Sequence, residues 1–220
     1  MQVINLKKCP STQSYLINLL TKFEKFQGQL VLVSTEEQTQ GFGQRENTWT
    51  HFKNSLAFSF TLPFNKYQHL TPIALGVLLK EYFHEKNINI QLKWPNDLIN
   101  SELKKTGGVI CKQVQESIVC GVGINISNDN EEFGDYGSLT SIGEITAKEI
   151  YQYILANDKT INYITTHWNS YCAHMNKNVR IVNEGIESSG EFKGINEFGQ
   201  ATIMNNRGIM ETYSNGPLFF

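Results

Sequence analysis

The sequence predicts an α/β protein, in which a mixed central sheet is flanked by helices and followed by a small β-barrel. Ser55–Leu62 alternates apolar and polar residues, which is the period of a strand. The segments that follow Ser11 and Thr71 repeat apolar residues at the spacing of a helix. After Asn176 the pattern changes to short strands separated by glycines, which is typical of a small barrel.

The size of the chain indicates one main domain and an appendage. With 220 residues, of which 40% are hydrophobic, the chain can bury one α/β core. We predict domains at residues 1–176 and 177–220. The second is too short to be stable alone, and we expect it to pack on the first.

The charge does not favour a nucleic-acid-binding protein. The formal net charge is −2 and the pI is about 6.2, whereas proteins that bind DNA carry a basic surface. No apolar run approaches the ~20 residues of a membrane span, and no signal-peptide core precedes a cleavage site. We expect a cytoplasmic protein without a membrane segment.

A structural metal site is not predicted. The four cysteines and five histidines are scattered, and none has the spacing of a zinc ligand pair. Buried thiols and ordinary core or surface histidines account for them.

The elements of the first domain follow from periodicity and end signals. Serine and threonine before the first helix suit a cap, and proline suits the first turn of the second helix. Residues 147–175 are predicted to form two helical pieces with a buried stripe from Ile161 to Met175, and Asn128–Gly137 an exposed loop. The predicted strands are Val3–Leu6, Leu30–Ser34, Ser55–Leu62 with one buried face, Ile88–Lys93, and a hairpin of Gly108–Val114 and Ile118–Ile126.

The most informative segment is Lys93–Asp97, which follows an apolar strand. Pro95 has no N–H and stops the strand ladder, which leaves Asn96 and Asp97 free to bind a ligand. A short hairpin then leads to Lys104–Gly108, whose two glycines let a ligand lie close to the backbone. A carboxylate, an amide and a cation are therefore expected to converge.

Two further segments accompany it. Gln38–Trp49 is a polar, glycine-bearing stretch between two apolar strands, within a loop too long to be a simple connection. Gly121–Asn125 has the pattern Gly-x-Gly-Ile-Asn. In this order the three segments resemble those of the biotin protein ligases.

The resemblance implies a fold similar to that of class II aminoacyl-tRNA synthetases, with an SH3-like C-terminal domain. It also implies a reaction in two steps. Biotin is activated with ATP to biotinyl-5′-AMP, and the biotinyl group is transferred to a lysine of a biotin carboxyl carrier protein. Mg²⁺ would neutralise the polyphosphate. A monomer and a homodimer both remain open.

The resemblance also implies site residues. Lys105 and Arg45 match cations, and Asp97 matches a carboxylate that orients Lys105 or receives a proton. The positions that match adenylate contacts are Gln44, Arg45, Asn96, Lys105, Gly123 and Asn125. Those that match biotin contacts are Ser11, Thr12, Gln38, Gly41, Phe42, Gly43, Trp49, Lys105, Gly107 and Gly108.

Three alternatives were weighed. A lipoate or octanoate ligase shares the fold, but this sequence lacks the Arg-Arg-x-x-Gly-Gly-Gly segment of that type. A biotin-responsive repressor would carry a winged helix before Ser11, where only ten residues stand, and we expect no specific DNA binding. An inactive biotin-binding module is disfavoured because Lys105, Arg45 and Asn125 are present.

Either Lys104 or Lys105 could be the cation that the resemblance implies at this position. The distance from Asp97 favours Lys104, whereas the distance to the glycine pair favours Lys105. Successive strand residues point to opposite faces, and hairpin tips tolerate insertion better than strands do. We therefore predict that Lys105 faces the site.

Overall fold

The computed structural model describes residues 1–44, 48–49, 54–64, 67–126, 132–139 and 144–220. Within these residues the chain forms a central sheet, four α-helices and a second sheet. The helices are α1 (Thr12–Lys22), α2 (Thr71–Glu85), α3 (Ala147–Ala156) and α4 (Ile161–Tyr171).

The central sheet is mixed, as the sequence predicted. Its main strands lie in the order β1-β2-β3-β7-β6-β5-β4, with β1 parallel to β2 and the other pairs antiparallel. Short strands β8 and β9 join at β6. The strands are β1 (Gln2–Cys9), β2 (Val31–Gln38), β3 (Ser55–Pro63), β4 (Gln91–Lys93), β5 (Asp97–Ile99), β6 (Lys105–Val114), β7 (Ser117–Asn125), β8 (Glu132–Phe133) and β9 (Tyr136–Gly137).

Helices cover both faces of this sheet. Leu16 and Leu20 of α1 pack with Val31, Val33 and Val119 on one face. Residues of α2, α3 and α4 form the larger cluster on the other face. The prediction that β3 is half-buried is therefore wrong, because α1 covers the face that carries its polar residues, and Ser59 is 0% exposed.

The second sheet is antiparallel, in the order β13-β12-β11-β10-β14. Its core side chains, such as Phe192 and Ile203, belong to the same hydrophobic cluster as the first domain. Asn169 of α4 also hydrogen-bonds both the N–H and the C=O of Ile195. The appendage packs on the main domain, as expected; the boundary at residue 176 stays a prediction. Its strands are β10 (Asn178–Asn183), β11 (Ile186–Ile195), β12 (Ala201–Asn205), β13 (Met210–Tyr213) and β14 (Leu218–Phe219).

Two local predictions need correction. The second helical piece ends at Tyr171 rather than at residue 175, and Ile161, predicted in its buried stripe, is exposed. The segment predicted as an exposed loop includes Tyr136–Gly137, which joins the sheet beside Lys105. Residues 128–131 of that segment lie outside the described residues.

Candidate active site

A cavity of about 500 Å³ opens where the sheet meets the start of α1 and the segment Lys93–Asp97. Residues of β3, β6 and β7 line its sheet side, and Phe42–Gln44 with Trp49 line another wall. Two ends of this cavity differ in chemistry. We call them the neutral end (Thr12, Gln38, Ser59) and the charged end (Asn96, Asp97, Lys105).

The neutral end is a buried hydrogen-bond network. Ser11 caps α1 by accepting from the N–H of Ser14, at 3.3 Å, which places Thr12 in the first turn. The backbone N–H of Thr12 donates to Oε1 of Gln38 at 2.9 Å, and its hydroxyl lies 3.2 Å from the same oxygen. That hydroxyl is also 2.9 Å from Oγ of Ser59. Helix capping thus fixes the backbone that presents these polar atoms.

Gln13 adds a buried amide to the cavity wall. Its Nε2 donates to the C=O of Val119 at 3.0 Å, whereas Oε1 has no partner among the described residues. A Cβ on Gly121 would lie 2.7 Å from this oxygen. The close approach of the Gln13 amide to the sheet therefore requires glycine at position 121.

Trp49 packs against the sheet. Its backbone N–H donates to the C=O of Gly41 at 2.9 Å, and a Cβ on Gly123 would lie 2.8 Å from two indole carbons. The bridge between Phe42 and Thr48 pairs the two sides of this loop. Glycine at position 123 therefore makes room for the indole, which forms one wall of the cavity.

The charged end is formed where the chain turns after β4. Nζ of Lys105 lies 2.6 Å from Oδ1 of Asp97, and their side chains are 33% and 16% exposed. Nδ2 of Asn96 donates to the C=O of Val109 at 2.6 Å. Gly108 lies beside all of them, because its missing Cβ would stand 3.6 Å from Asp97 and 3.8 Å from Lys105.

The two lysines point to different places. Lys105 lines the cavity, whereas Nζ of Lys104 donates to the C=O of Gly134 at 2.6 Å, away from the cavity. Lys105 is the first residue of β6 and Lys104 precedes the strand, and of the two only Lys105 lines the cavity, as the sequence predicted. The catalytic role assigned to Lys105 remains a proposal.

The structure gathers most of the predicted site residues and leaves some outside. The residues that line the cavity are Ser11, Thr12, Gln38, Phe42, Gly43, Gln44, Trp49, Asn96, Asp97, Lys105, Gly108 and Gly123. Arg45 lies outside the described residues. Gly41 is not among the lining residues, and its C=O accepts from the backbone N–H of Trp49.

Gly107 and Asn125, both predicted to contact ligand, lie in the sheet instead. A Cβ on Gly107 would stand 2.7 Å from the C=O of Gly123, which makes it a packing glycine. Asn125 is 0% exposed; its Oδ1 accepts from Ser55 at 2.9 Å and its Nδ2 donates to the C=O of Gly137 at 3.4 Å. Neither residue belongs to the cavity wall that the structure describes.

Sequence reasoning missed several lining residues. Ser59 was predicted only as part of an alternating strand, because a serine between Phe58 and Phe60 indicates the uncovered face of a strand. Lys93, Tyr136 and the segment 216–219 also line the cavity. The last reaches it from the second sheet, and no local signal could have indicated that.

His174 is a buried neighbour of this wall. The ring packs against Phe192 and Phe220, and neither of its nitrogens has a hydrogen-bond partner among the described residues. Burial, together with the charges of Lys93 and Lys177, lowers the pKa of His174 to about 3. The imidazole is therefore neutral at physiological pH.

Metal-ligating groups are sparse. Within the described ranges, no cluster of three or more His, Cys, Asp or Glu side chains could hold a metal ion. Asp97 is the one carboxylate of the cavity wall over the same ranges. As for membrane insertion, none of the helices in the described part of the chain has the length and apolar character of a membrane span.

Residues 6–129 match the biotin/lipoate A/B protein ligase family. The bifunctional ligase/repressor BirA of Bacillus subtilis is 27% identical over 210 residues, which cover 83% of this chain and 64% of that protein. The chain thus spans less than two thirds of that relative. The chloroplastic biotin–protein ligase 1 of Arabidopsis thaliana is 32% identical over 107 residues, covering 43% of this chain and 29% of that protein.

Solved structures show the same fold. The biotin protein ligase of Aquifex aeolicus in complex with biotin and ATP aligns with a TM-score of 0.80 at 23% identity, covering 99% of this chain and 98% of that one. The Helicobacter pylori biotin acetyl coenzyme A carboxylase synthetase aligns with a TM-score of 0.72 at 24% identity, covering 96% and 99%.

Proposed function

The chain belongs to the biotin/lipoate A/B protein ligase family, and we propose that it is a biotin–protein ligase. It activates biotin with ATP to biotinyl-5′-AMP and transfers the biotinyl group to a lysine of a biotin carboxyl carrier protein. The two ends of the cavity carry this proposal. Biotin has a cyclic urea at one end and a carboxylate at the other, which suit the neutral end and the charged end in turn.

The neutral end favours biotin over lipoate. Thr12 is buried and bonds Oε1 of the partly buried Gln38, which leaves a lone pair of Thr12 Oγ1 and the N–H groups of Gln38 Nε2 for a ligand. An apolar dithiolane would not pair with these groups. A site built for hydrogen bonds rejects a ligand that lacks the matching groups, because unpaired buried polar atoms cost free energy.

In the first step a carboxylate oxygen of biotin attacks the α-phosphate of ATP, and pyrophosphate leaves. Two anions must approach each other, and charge builds on the phosphorus oxygens. Lys105 is placed to neutralise both, and the ion pair with Asp97 holds its ammonium in the cavity. Asn96 and Gly123 are proposed to contact the adenylate. Arg45 would supply a second cation.

In the second step the lysine amine of the carrier protein attacks the carbonyl carbon of biotinyl-5′-AMP. The bond to the phosphate oxygen breaks, AMP leaves with the electron pair, and the amine loses a proton. Asp97 is the carboxylate available on the described cavity wall to receive that proton.

Mg²⁺ belongs to this proposal as a partner of the nucleotide. Asp97 is paired with Lys105, which leaves few protein ligands for a cation. Mg²⁺ commonly retains water and binds through substrate phosphates, and a site of this composition suits that mode. When bound, the ion would neutralise the polyphosphate.

The proposal is tested by following both half-reactions. Purified protein is incubated with biotin, MgCl₂ and α-labelled ATP, and biotinyl-5′-AMP is resolved by chromatography. A biotin carboxyl carrier domain is then added, and streptavidin blotting reports transfer. A parallel reaction contains lipoate in place of biotin. Turnover of lipoate with no turnover of biotin would refute the proposal.

A further inference from the structure

Ser59 is a residue of β3 and forms the part of the neutral end that belongs to the sheet. It is 0% exposed, and its Oγ lies 2.9 Å from Oγ1 of Thr12. No other hydrogen bond of its hydroxyl is found among the described residues. Both residues line the cavity, and Thr12, which is 3% exposed, lies above Ser59 on the side of the ligand space.

The direction of the hydrogen bonds can be derived by counting protons. Oε1 of Gln38 only accepts, and it faces Thr12 because the Thr12 N–H donates to it. If Thr12 donated its hydroxyl proton to Ser59, the proton of Ser59 would be buried without an acceptor. When Ser59 donates to Thr12 and Thr12 donates to Gln38, every proton is used.

This direction sets what the neutral end presents to a ligand. The hydroxyl proton of Thr12 is committed to Gln38, which leaves Thr12 Oγ1 with a free lone pair and no free proton. Nε2 of Gln38 points towards Gly41, since a Cβ on that glycine would lie 2.9 Å from it, and it carries the donors. The neutral end thus combines an acceptor with a donor, as a cyclic urea requires.

We propose that Ser59 is a positioning residue for biotin: its hydroxyl donates to Thr12 and thereby makes Thr12 an acceptor for a ureido N–H. This inference rests on the proposed function. Ser59 acts through Thr12, and polarisation along the chain of hydroxyls makes Thr12 a better acceptor. Ser59 therefore affects the binding of the biotin ring in the ground state. It does not take part in the phosphoryl chemistry at Lys105.

The first test replaces Ser59 by alanine and measures biotin binding by isothermal titration calorimetry without ATP. We expect the Kd for biotin to rise roughly 3- to 10-fold, the usual worth of one neutral hydrogen bond. In a pyrophosphate-release assay the KM for biotin should rise by a similar factor with kcat nearly unchanged. Ser59→Cys, which retains a weak donor, should fall between the two proteins.

Thr61→Val is the matched control. Thr61 lies on the same strand and the same face as Ser59, and its buried hydroxyl bonds Gln29 and Val31 away from the cavity. Both variants should lower the melting temperature, but only Ser59→Ala should weaken biotin binding. Equal effects of the two variants on the Kd for biotin would overturn the proposal.

A double-mutant cycle tests the route through Thr12. Thr12→Val removes the acceptor, and Ser59→Ala should then add less than twofold to the Kd, whereas independent effects would multiply. Independent multiplication would overturn the positioning role and leave the proposed function intact. A parent protein that neither binds biotin nor forms biotinyl-5′-AMP would refute both.

Discussion

The neutral end and the charged end of the cavity are built in opposite ways. Thr12 and Ser59 are almost fully buried, and their hydrogen bonds are made within the protein before any ligand binds. The Lys105 side chain is one-third exposed, and its partner Asp97 also retains contact with solvent. The buried end can select a ligand by shape and donor pattern, whereas the solvated end can exchange partners when charged substrates arrive.

The largest expected effect concerns the charged end. Lys105→Ala should lower the rate of adenylate formation by on the order of 10²–10³, the cost of removing one preorganised group from a developing charge. The matched control is Lys104→Ala, because Lys104 binds the C=O of Gly134 outside the cavity, and its rate should stay within about threefold of the parent. A pyrophosphate-release assay measures both. Loss of activity in Lys104→Ala alone would show that the wrong lysine was chosen.

The next prediction separates two neighbouring glycines that the sequence placed together in the site. A Cβ on Gly107 would stand 2.7 Å from a backbone oxygen, whereas the nearest atom to one on Gly108 is at 3.4 Å. Gly107→Ala should lower the free energy of unfolding by about 2–3 kcal/mol, because backbone cannot move aside cheaply. The free energy of unfolding of Gly108→Ala should lie within about 1 kcal/mol of that of the parent.

Urea unfolding curves measure this difference, with circular dichroism as the signal. Equal stability of the two variants would contradict the assignment of Gly107 to packing and return it to the cavity wall.

A third prediction concerns His174, a buried polar group without the partners that the neutral end possesses. Its pKa of about 3 in the folded protein lies below its unfolded value near 6.5, and the unfolded chain therefore binds the additional proton. The resulting stability is complete above about pH 6.5 and is lost as the pH falls towards 3. The loss at pH 5 should be about 2 kcal/mol.

His174→Phe should remove this loss, since a phenyl ring suits the aromatic surroundings and does not titrate. The measurement compares urea unfolding at pH 7.5 and pH 5. An unchanged difference in His174→Phe would assign the acid sensitivity to other groups.

The smallest effect concerns the ion pair at the charged end. Asp97→Asn keeps the shape of the side chain and removes the charge that holds Lys105 at 2.6 Å. A partly exposed pair contributes modestly, and we expect the rate of adenylate formation to fall roughly 3- to 10-fold. Glu37→Gln, which breaks an exposed pair with Lys8, should leave the rate unchanged. A loss as large as that of Lys105→Ala would give Asp97 a direct role.

The sequence predicted the family, the mixed sheet and most of the cavity wall from local signals. These signals are local, because each is visible within a few residues of the chain. They are a proline after a strand, glycines beside a lysine, and a polar loop between apolar strands. The choice of Lys105 over Lys104 followed from its distance to the glycine pair together with side-chain alternation, and Lys105 lines the cavity.

The differences between the predicted site and the cavity wall share another cause. Gly107 and Asn125 were predicted to contact ligand because they stand in motifs; they pack against β7 and Ser55 and do not line the described cavity. Ser59 was overlooked because alternation predicts a solvent-facing side chain, and only the position of α1 buries it. Segment 216–219 reaches the cavity because the second sheet packs on the main domain, where it contacts α4.

By itself, the sequence determined where the strands, the helices and the polar segments between them stand, because backbone geometry fixes the period of strands and helices and the positions where a ladder must end. The tertiary structure decided which of those residues share a cavity and which are absorbed by packing. It also decided that Ser59, Thr12 and Gln38 form one directed network. Burial and proton direction depend on contacts between segments distant in the chain, and no local pattern records them.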